Sequence, residues 1–146
     1  MAIDPEMLFT PDLIPACTRL LGSEFLSYDS HNSSVRLKFK PSPEFCNPRG
    51  HVQGGFVTAM LDECFSLAAF LTFNGDKICP TVECKTQFFK PVPLQNLIGE
   101  GRIIQQGKSI VFTEAILMDE DGTLLAKATA TSTPRPFKMP TSLSAS

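Results

Sequence analysis

The sequence predicts an α+β domain in which one antiparallel sheet curls around a single long helix. Three observations carry this reading. Residues 55–73 are apolar around nearly the whole helical circumference, through Phe56, Val57, Met60, Leu61, Phe65 and Leu71, and a helix apolar all round is a buried one. The stretches after it alternate or run apolar and are joined by short turns, Gly107-Lys108 and Glu120-Asp-Gly122, the mark of successive antiparallel strands. The chain, at 146 residues, is long enough for one real core and suggests one domain.

Residues 1–22 read as a lead-in, irregular over the first ten, then a short helix over Pro11–Gly22 that Thr10 could cap and Gly22 stop. The main domain spans residues 23–133. Ser23–Asp29 and Ser34–Lys40 read as a hairpin across the Ser30–Ser33 turn, with Val35, Leu37 and Phe39 alternating with Arg36, Lys38 and Lys40. Pro41–Gly50 is a proline-rich loop before the central helix. Asn74–Lys77 turns the chain into a long strand over Ile78–Lys90, broken at Pro91-Val-Pro93. Asn96–Gln106, Ser109–Asp119 and Thr123–Ser132 follow as strands. Residues 134–146 are rich in Pro, Ser and Thr and are expected to be a flexible tail. A sheet wrapped around one helix leaves a free edge and an apolar outer face, which a dimer would cover.

The totals narrow the function classes. Lys and Arg number 13 against 15 Asp and Glu, a net charge of −2, so neither nucleic acid nor an acidic membrane is an expected partner. The apolar helix approaches a bilayer's thickness, but Asp62 and Glu63 lie in its middle. Five cysteines show no paired spacing, and two histidines make a structural zinc site improbable on composition. Asp4 and Glu6 interrupt the opening, so no secretory leader is expected. Reduced cysteines and a cytoplasmic setting follow as expectations.

Two acids inside an apolar helix need a reason. Asp62 shares a face with Gly55, Thr58, Ala59, Ser66 and Ala69 by helical spacing. That small, polar face could line a cavity, whereas Glu63 points about 100° away and could reach solvent through a gap in the wrapping. At the helix start Gly54 and Gly55 leave backbone N–H groups bare, and with the positive end of the helix dipole those donors suit a developing oxyanion.

In their order and spacing these residues resemble the hotdog-fold acyl-CoA thioesterases of the phenylacetate-degradation type. Asn47, Gly50, Gln53-Gly54-Gly55 and then Asp62 follow that family's pattern of Asn or Gln, Gly, His-Gly-Gly and a helix acid. Thr81-Val-Glu83 through Phe88-Phe-Lys-Pro91 resembles its next strand, and Gly107-Lys108-Ser109 its hairpin near the coenzyme A phosphates. The resemblance covers roughly residues 20–133. Gln53 stands where the family has His; it can donate and accept hydrogen bonds but carries no proton at neutral pH.

The resemblance implies a hotdog fold and a dimer or a dimer of dimers. It implies that the Gly54 N–H binds the thioester oxygen, with Gly55 beside it. Asp62 would activate water or attack as a nucleophile, and Asn47 would orient the water or the carbonyl. Ser66 and Thr81 would support the acid, and the site would lie between subunits. Coenzyme A would arrive as part of the substrate, with no metal or other cofactor.

Other readings compete. Glu63 is the rival acid. Cys46 with His51 could form a nucleophile pair but lacks a third orienting residue. Lys108 leads Arg102, Lys90 and Arg135 as a phosphate ligand, and Phe88-Phe89 reads as core rather than acyl pocket. The function expected is hydrolysis of an acyl-CoA with an aromatic or medium-chain acyl group. The alternatives are a non-catalytic acyl-CoA binding module and a hotdog hydratase or dehydratase.

Overall fold

The computed structural model describes residues 2–139. In chain order its elements are α1 (Ala16–Leu20), β1 (Ser23–Asp29), β2 (Ser34–Phe39), α2 (Gly54–Thr72), β3 (Lys77–Ile78), β4 (Thr81–Phe88), β5 (Leu97–Gln106), β6 (Val111–Asp119), β7 (Leu124–Ser132) and β8 (Arg135–Pro136). Six strands form one antiparallel sheet in the order β1-β2-β5-β6-β7-β4, and β3 pairs with β8 separately. The expected α+β wrap around one helix is therefore present.

Helix α2 begins where Gln53 takes extended dihedrals and its carbonyl accepts from the Phe56 and Val57 amides. It ends where Asn74 and Gly75 turn left-handed, at φ 52° and 78°, letting the Gly75 amide reach back to the Phe70 carbonyl. By length and hydropathy α2 could cross a membrane; here it lies on β5 and β6, burying Met60, Leu61, Cys64, Phe65 and Ala68. Close approach needs the glycines of β5. A Cβ on Gly99 would stand 2.5 Å from Cys64 Sγ, and one on Gly101 would overlap the Cys64 carbonyl.

Several expectations need correction. The first helix spans only Ala16–Leu20 because Pro15 occupies its N-cap, and a 3₁₀ turn over Pro5–Phe9, capped by Asp4, precedes it. The long strand over 78–90 is divided: Pro80 has no N–H for a ladder, so Lys77–Ile78 pairs with Arg135–Pro136 while β4 begins at Thr81. The start of the tail is packed rather than flexible. Phe137 N donates to Asp76 O at 2.9 Å and its ring meets Phe70 edge-on; the expected tail beyond Met139 lies outside the described residues. Nor is the outer sheet face uniformly apolar, since Arg36 pairs with Glu100, and Arg102 and Lys127 both pair with Glu114. Burial works against ionised Glu114, but its bonds to the two cations outweigh it and hold the carboxyl below its ordinary range.

Candidate active site

The loop before α2 is held by one side chain. Asn47 Oδ1 accepts from the Arg49 amide at 2.9 Å and the His51 amide at 3.2 Å. Only the oxygen can accept, so Nδ2 is left as a donor. Gly50, at φ 80°, closes the turn with a bond from its amide to the Asn47 carbonyl. The Val52 and Gln53 amides then tie the loop to the Val92 and Phe45 carbonyls. The Gln53 side chain is exposed and makes no capping bond.

Helix geometry leaves the first amides without partners. Those of Gly54 and Gly55 donate to no backbone carbonyl among the described residues. The Phe88 ring stands over Gly54, where an added Cβ would lie 3.2 Å from Phe88 Cζ. A cavity of about 350 Å³ opens here, lined by Asn47, Arg49, His51, Gly54, Phe88 and Lys90 among others. Phe88 and Phe89 are 53% and 49% exposed. They are pocket wall and not core: both line this cavity, and β4 is the last strand of its sheet.

Two turns further along α2, Asp62 is half-buried. Its Oδ1 accepts from Thr81 Oγ1 at 2.9 Å and, more weakly, from Ser66 Oγ at 3.4 Å. No bond holds Oδ2 among the described residues. Thr58 on the same face bonds Thr86 at 2.9 Å. Edge strand β4 therefore runs antiparallel to α2, with Phe88 by Gly54, Thr86 by Thr58 and Thr81 by Asp62.

The neighbouring acid is built differently. Glu63 is half-buried beside α1, and Thr18 Oγ1 donates to its Oε1 at 2.7 Å. Burial pushes its carboxyl above the ordinary range, the Thr18 bond opposes that, and the charge of Asp62 adds to it.

The sequence-predicted residues thus fall into groups. Asn47, Gln53, Gly54 and Gly55 gather at the helix start; Asp62, Ser66 and Thr81 gather about 12 Å along the axis, from eight residues at 1.5 Å rise. The cavity at the helix start is not lined by Asp62, Ser66 or Thr81. Gly107, Lys108 and Ser109 form an exposed turn closed by a bond from Gly107 N to Ile110 O. In the sheet, Val111, Ser132 and Thr81 share a row, so this turn lies at the Asp62 end, about 12 Å from β4 at 4.8 Å per strand. Cys46 Sγ points to the Gly50 carbonyl at 3.7 Å, a turn contact. Arg49 is the pocket cation that sequence reading missed; its position inside the Asn47–Gly50 turn was the available signal. Among the described residues no group of three His, Cys, Asp or Glu could hold a metal.

Comparison with known proteins gives a consistent result. The thioesterase superfamily profile matches residues 49–126, more than half of the chain, from the Asn47 turn through α2 to β7. A Saccharolobus solfataricus protein with a provisional esterase name is 32% identical over 111 residues, covering 76% of this chain and 72% of its own. Among solved structures, a phenylacetic acid degradation-related protein of Ralstonia eutropha JMP134, itself provisionally a thioesterase, is 30% identical with TM-score 0.78. That match covers 82% of this chain and 90% of the other. A Streptococcus mutans protein solved with acetyl CoA shares the fold at 16% identity and TM-score 0.69, covering 80% and 91%. The architecture is the hotdog fold, and the chain belongs to the thioesterase superfamily.

Proposed function

We propose that this protein hydrolyses acyl-CoA thioesters to a free acid and coenzyme A, and that two copies build each site. The observation that carries the proposal is Asp62. It is a half-buried carboxylate with one oxygen held by two hydroxyls and the other unheld, beside a free sheet edge. Edge strand β4 is exposed along most of its length, with Val82 67% exposed. An unpaired edge of this kind is a template for another strand. Antiparallel pairing of β4 with its own copy would run Thr81 of one chain towards the partner's Phe88. Thr81 holds Asp62 and Phe88 covers Gly54, so that pairing carries Asp62 to the partner's Gly54 and Asn47.

The chemistry then follows from what each group can do. Asp62 Oδ2 takes a proton from water, whose oxygen attacks the thioester carbon. Charge collects on the carbonyl oxygen, faced by the bare amides at the start of α2 and by the Asn47 amide. Collapse breaks the C–S bond, and the proton held by Asp62 passes to the departing thiolate. Attack by Oδ2 itself would instead give an anhydride; labelled water oxygen entering Asp62 in a single turnover distinguishes that route.

The motif resemblance and the Ralstonia eutropha neighbour favour the phenylacetate-degradation type. The acetyl CoA held by the Streptococcus mutans neighbour supports a coenzyme A thioester as substrate. Arg49 and Lys90 at the cavity, and Lys108 at the Asp62 end of the sheet, suit its phosphates. The apolar walls suit an aromatic or medium-chain acyl group. A cytoplasmic setting, with no cofactor beyond the substrate's own coenzyme A, completes the proposal.

Thiol release from an acyl-CoA panel tests it. Hydrolysis that Asp62→Asn slows by about 10²–10⁴ is expected. Tight acyl-CoA binding with no thiol release from any member would favour a binding module, and hydration of an enoyl-CoA would favour a hydratase.

A further inference from the structure

The free edge of β4 limits what can pair with it. Phe89 N donates to the Leu125 carbonyl, and that pair continues the register Gln87 to Lys127, Lys85 to Thr129 and Glu83 to Thr131. In an antiparallel ladder alternate residues bond the same neighbour. Glu83, Lys85 and Gln87 therefore aim their backbone groups at β7, while Cys84, Thr86 and Phe88 aim theirs at the free edge. The side chains alternate as well. Thr86 turns inward to Thr58 on α2, with Cys84 half-buried on the same face. Glu83, Lys85 and Gln87 are exposed on the outer face.

Two of these outer side chains differ from the charges around them. On the same face Arg36 pairs with Glu100, and Arg102 and Lys127 pair with Glu114. Glu83 and Lys85 have no ion partner among the described residues, and their β7 neighbours are the uncharged Thr131 and Thr129. An acid and a base thus stand two residues apart along an unpaired edge. A second copy running the other way presents the same two charges in reverse order.

Symmetry restricts how that copy can pair. Residues directly opposite in an antiparallel ladder share a face, so a sheet that continues across the edge sets its two-fold axis on a residue and not between two. Strand β4 runs Thr81–Phe88, so an axis at Cys84 or at Lys85 keeps nearly all of it paired. An axis at Lys85 sets the two Lys85 side chains opposite each other, and like charges so placed are destabilising. Moved to Glu83, the axis opposes the two acids; moved to Thr86, it sets Lys85 against the partner's Gln87, with no ion pair. An axis at Cys84 sets Lys85 against the partner's Glu83 and Glu83 against the partner's Lys85, two attractive pairs by symmetry.

We infer that β4 recognises a second copy of itself in this one register, with Cys84 on the axis and Glu83 and Lys85 joining the chains on the outer face. The inference rests on the shared-site reading above and names the contacts that align its halves. Thr81, which holds Asp62, then lies by the partner's Gln87 and the partner's Phe88. Moving the axis by one residue slides the partner by two, about 7 Å, so the register decides whether the acid and the donors meet.

The test follows dimer dissociation by sedimentation over a dilution series. Both side chains are exposed, so their substitution leaves each chain folded. Lys85→Gln removes two attractive pairs, and Kd should rise about fivefold. Glu83→Lys replaces them with two repulsive pairs and should raise Kd by about tenfold or more. Adding Lys85→Glu to Glu83→Lys restores both attractions with the signs exchanged, and Kd should return to within about twofold of the wild type. A Kd that falls in Lys85→Gln puts the axis at Lys85 and overturns the inference. So does an unchanged Kd in both single variants, or a double variant as weak as Glu83→Lys alone. A wild type that stays monomeric across the series would sink the register and the shared-site reading together, whereas a dimer indifferent to these charges sinks the register only.

Discussion

The start and the middle of α2 are built in opposite ways. At the start, the helix and its loop offer donors: the Gly54 and Gly55 amides, which meet no backbone carbonyl among the described residues, and the Asn47 Nδ2 left over once its oxygen has fixed the loop. In the middle, the group on offer is an acceptor, Asp62 Oδ2, left over once Thr81 and Ser66 have taken Oδ1. Donors stabilise a developing oxyanion and an acceptor removes a proton, so hydrolysis needs both within reach of one carbonyl. One chain carries both halves but keeps them about 12 Å apart. The lesson is that the free edge of β4, lying alongside both, is as much a part of the proposed site as either half.

The acid half is the place to strike first. Asp62→Asn can still accept from Thr81 but cannot take a proton, and turnover should fall by about 10²–10⁴; thiol release at saturating acyl-CoA reads it. Undiminished turnover would show that the acid half was misassigned. In the donor half, Asn47→Asp still accepts from the Arg49 and His51 amides, so the loop and Tm should hold. It replaces the free donor with an acceptor, and kcat should fall by about 10²-fold. A matching fall in Tm would mean that Asn47 only builds the turn.

Smaller effects separate support from chemistry. Thr81→Val removes the stronger hydroxyl on Asp62, and a bond to a charged group of that kind is worth about tenfold in kcat. The acid next door gives the smallest effect, on stability. The Glu63 carboxyl is raised in the folded protein, so the stability it contributes is full below the ordinary Glu pKa and is lost as pH rises through the raised value. Denaturant melts of wild type and Glu63→Gln at pH 4 and pH 7 should show the variant gaining on the wild type at the higher pH. Asp62→Asn supplies the contrast in turnover that Glu63 cannot.

Local pattern made most of the fold legible. The alternation of Val35, Leu37 and Phe39 set β2, the all-round apolar run set α2, and Gly75 and Gly122 marked turns that do take positive φ. What escaped was long-range or too short to show a period. Two-residue β3 and β8 find each other across 57 residues or more, and Pro80 cut a strand that composition alone would run through. At the site, spacing picked out Asn47, Gly54 and Asp62. It could not say which atom of Asn47 the turn consumes, nor that Thr18 would reach Glu63 from 45 residues away. Phe88 and Phe89 read as core because a sequence does not reveal which strand ends at an edge.

The most direct measurement uses two crippled chains. Asp62→Asn and Asn47→Asp, co-expressed with different tags and purified as the mixed dimer, place both lesions in one site and leave the other whole. If each site draws its acid from one chain and its donors from the other, the mixed dimer should recover about half of the wild-type activity, one intact site of two. A mixed dimer no more active than its two parents would mean that each chain works alone, and the shared site would be wrong.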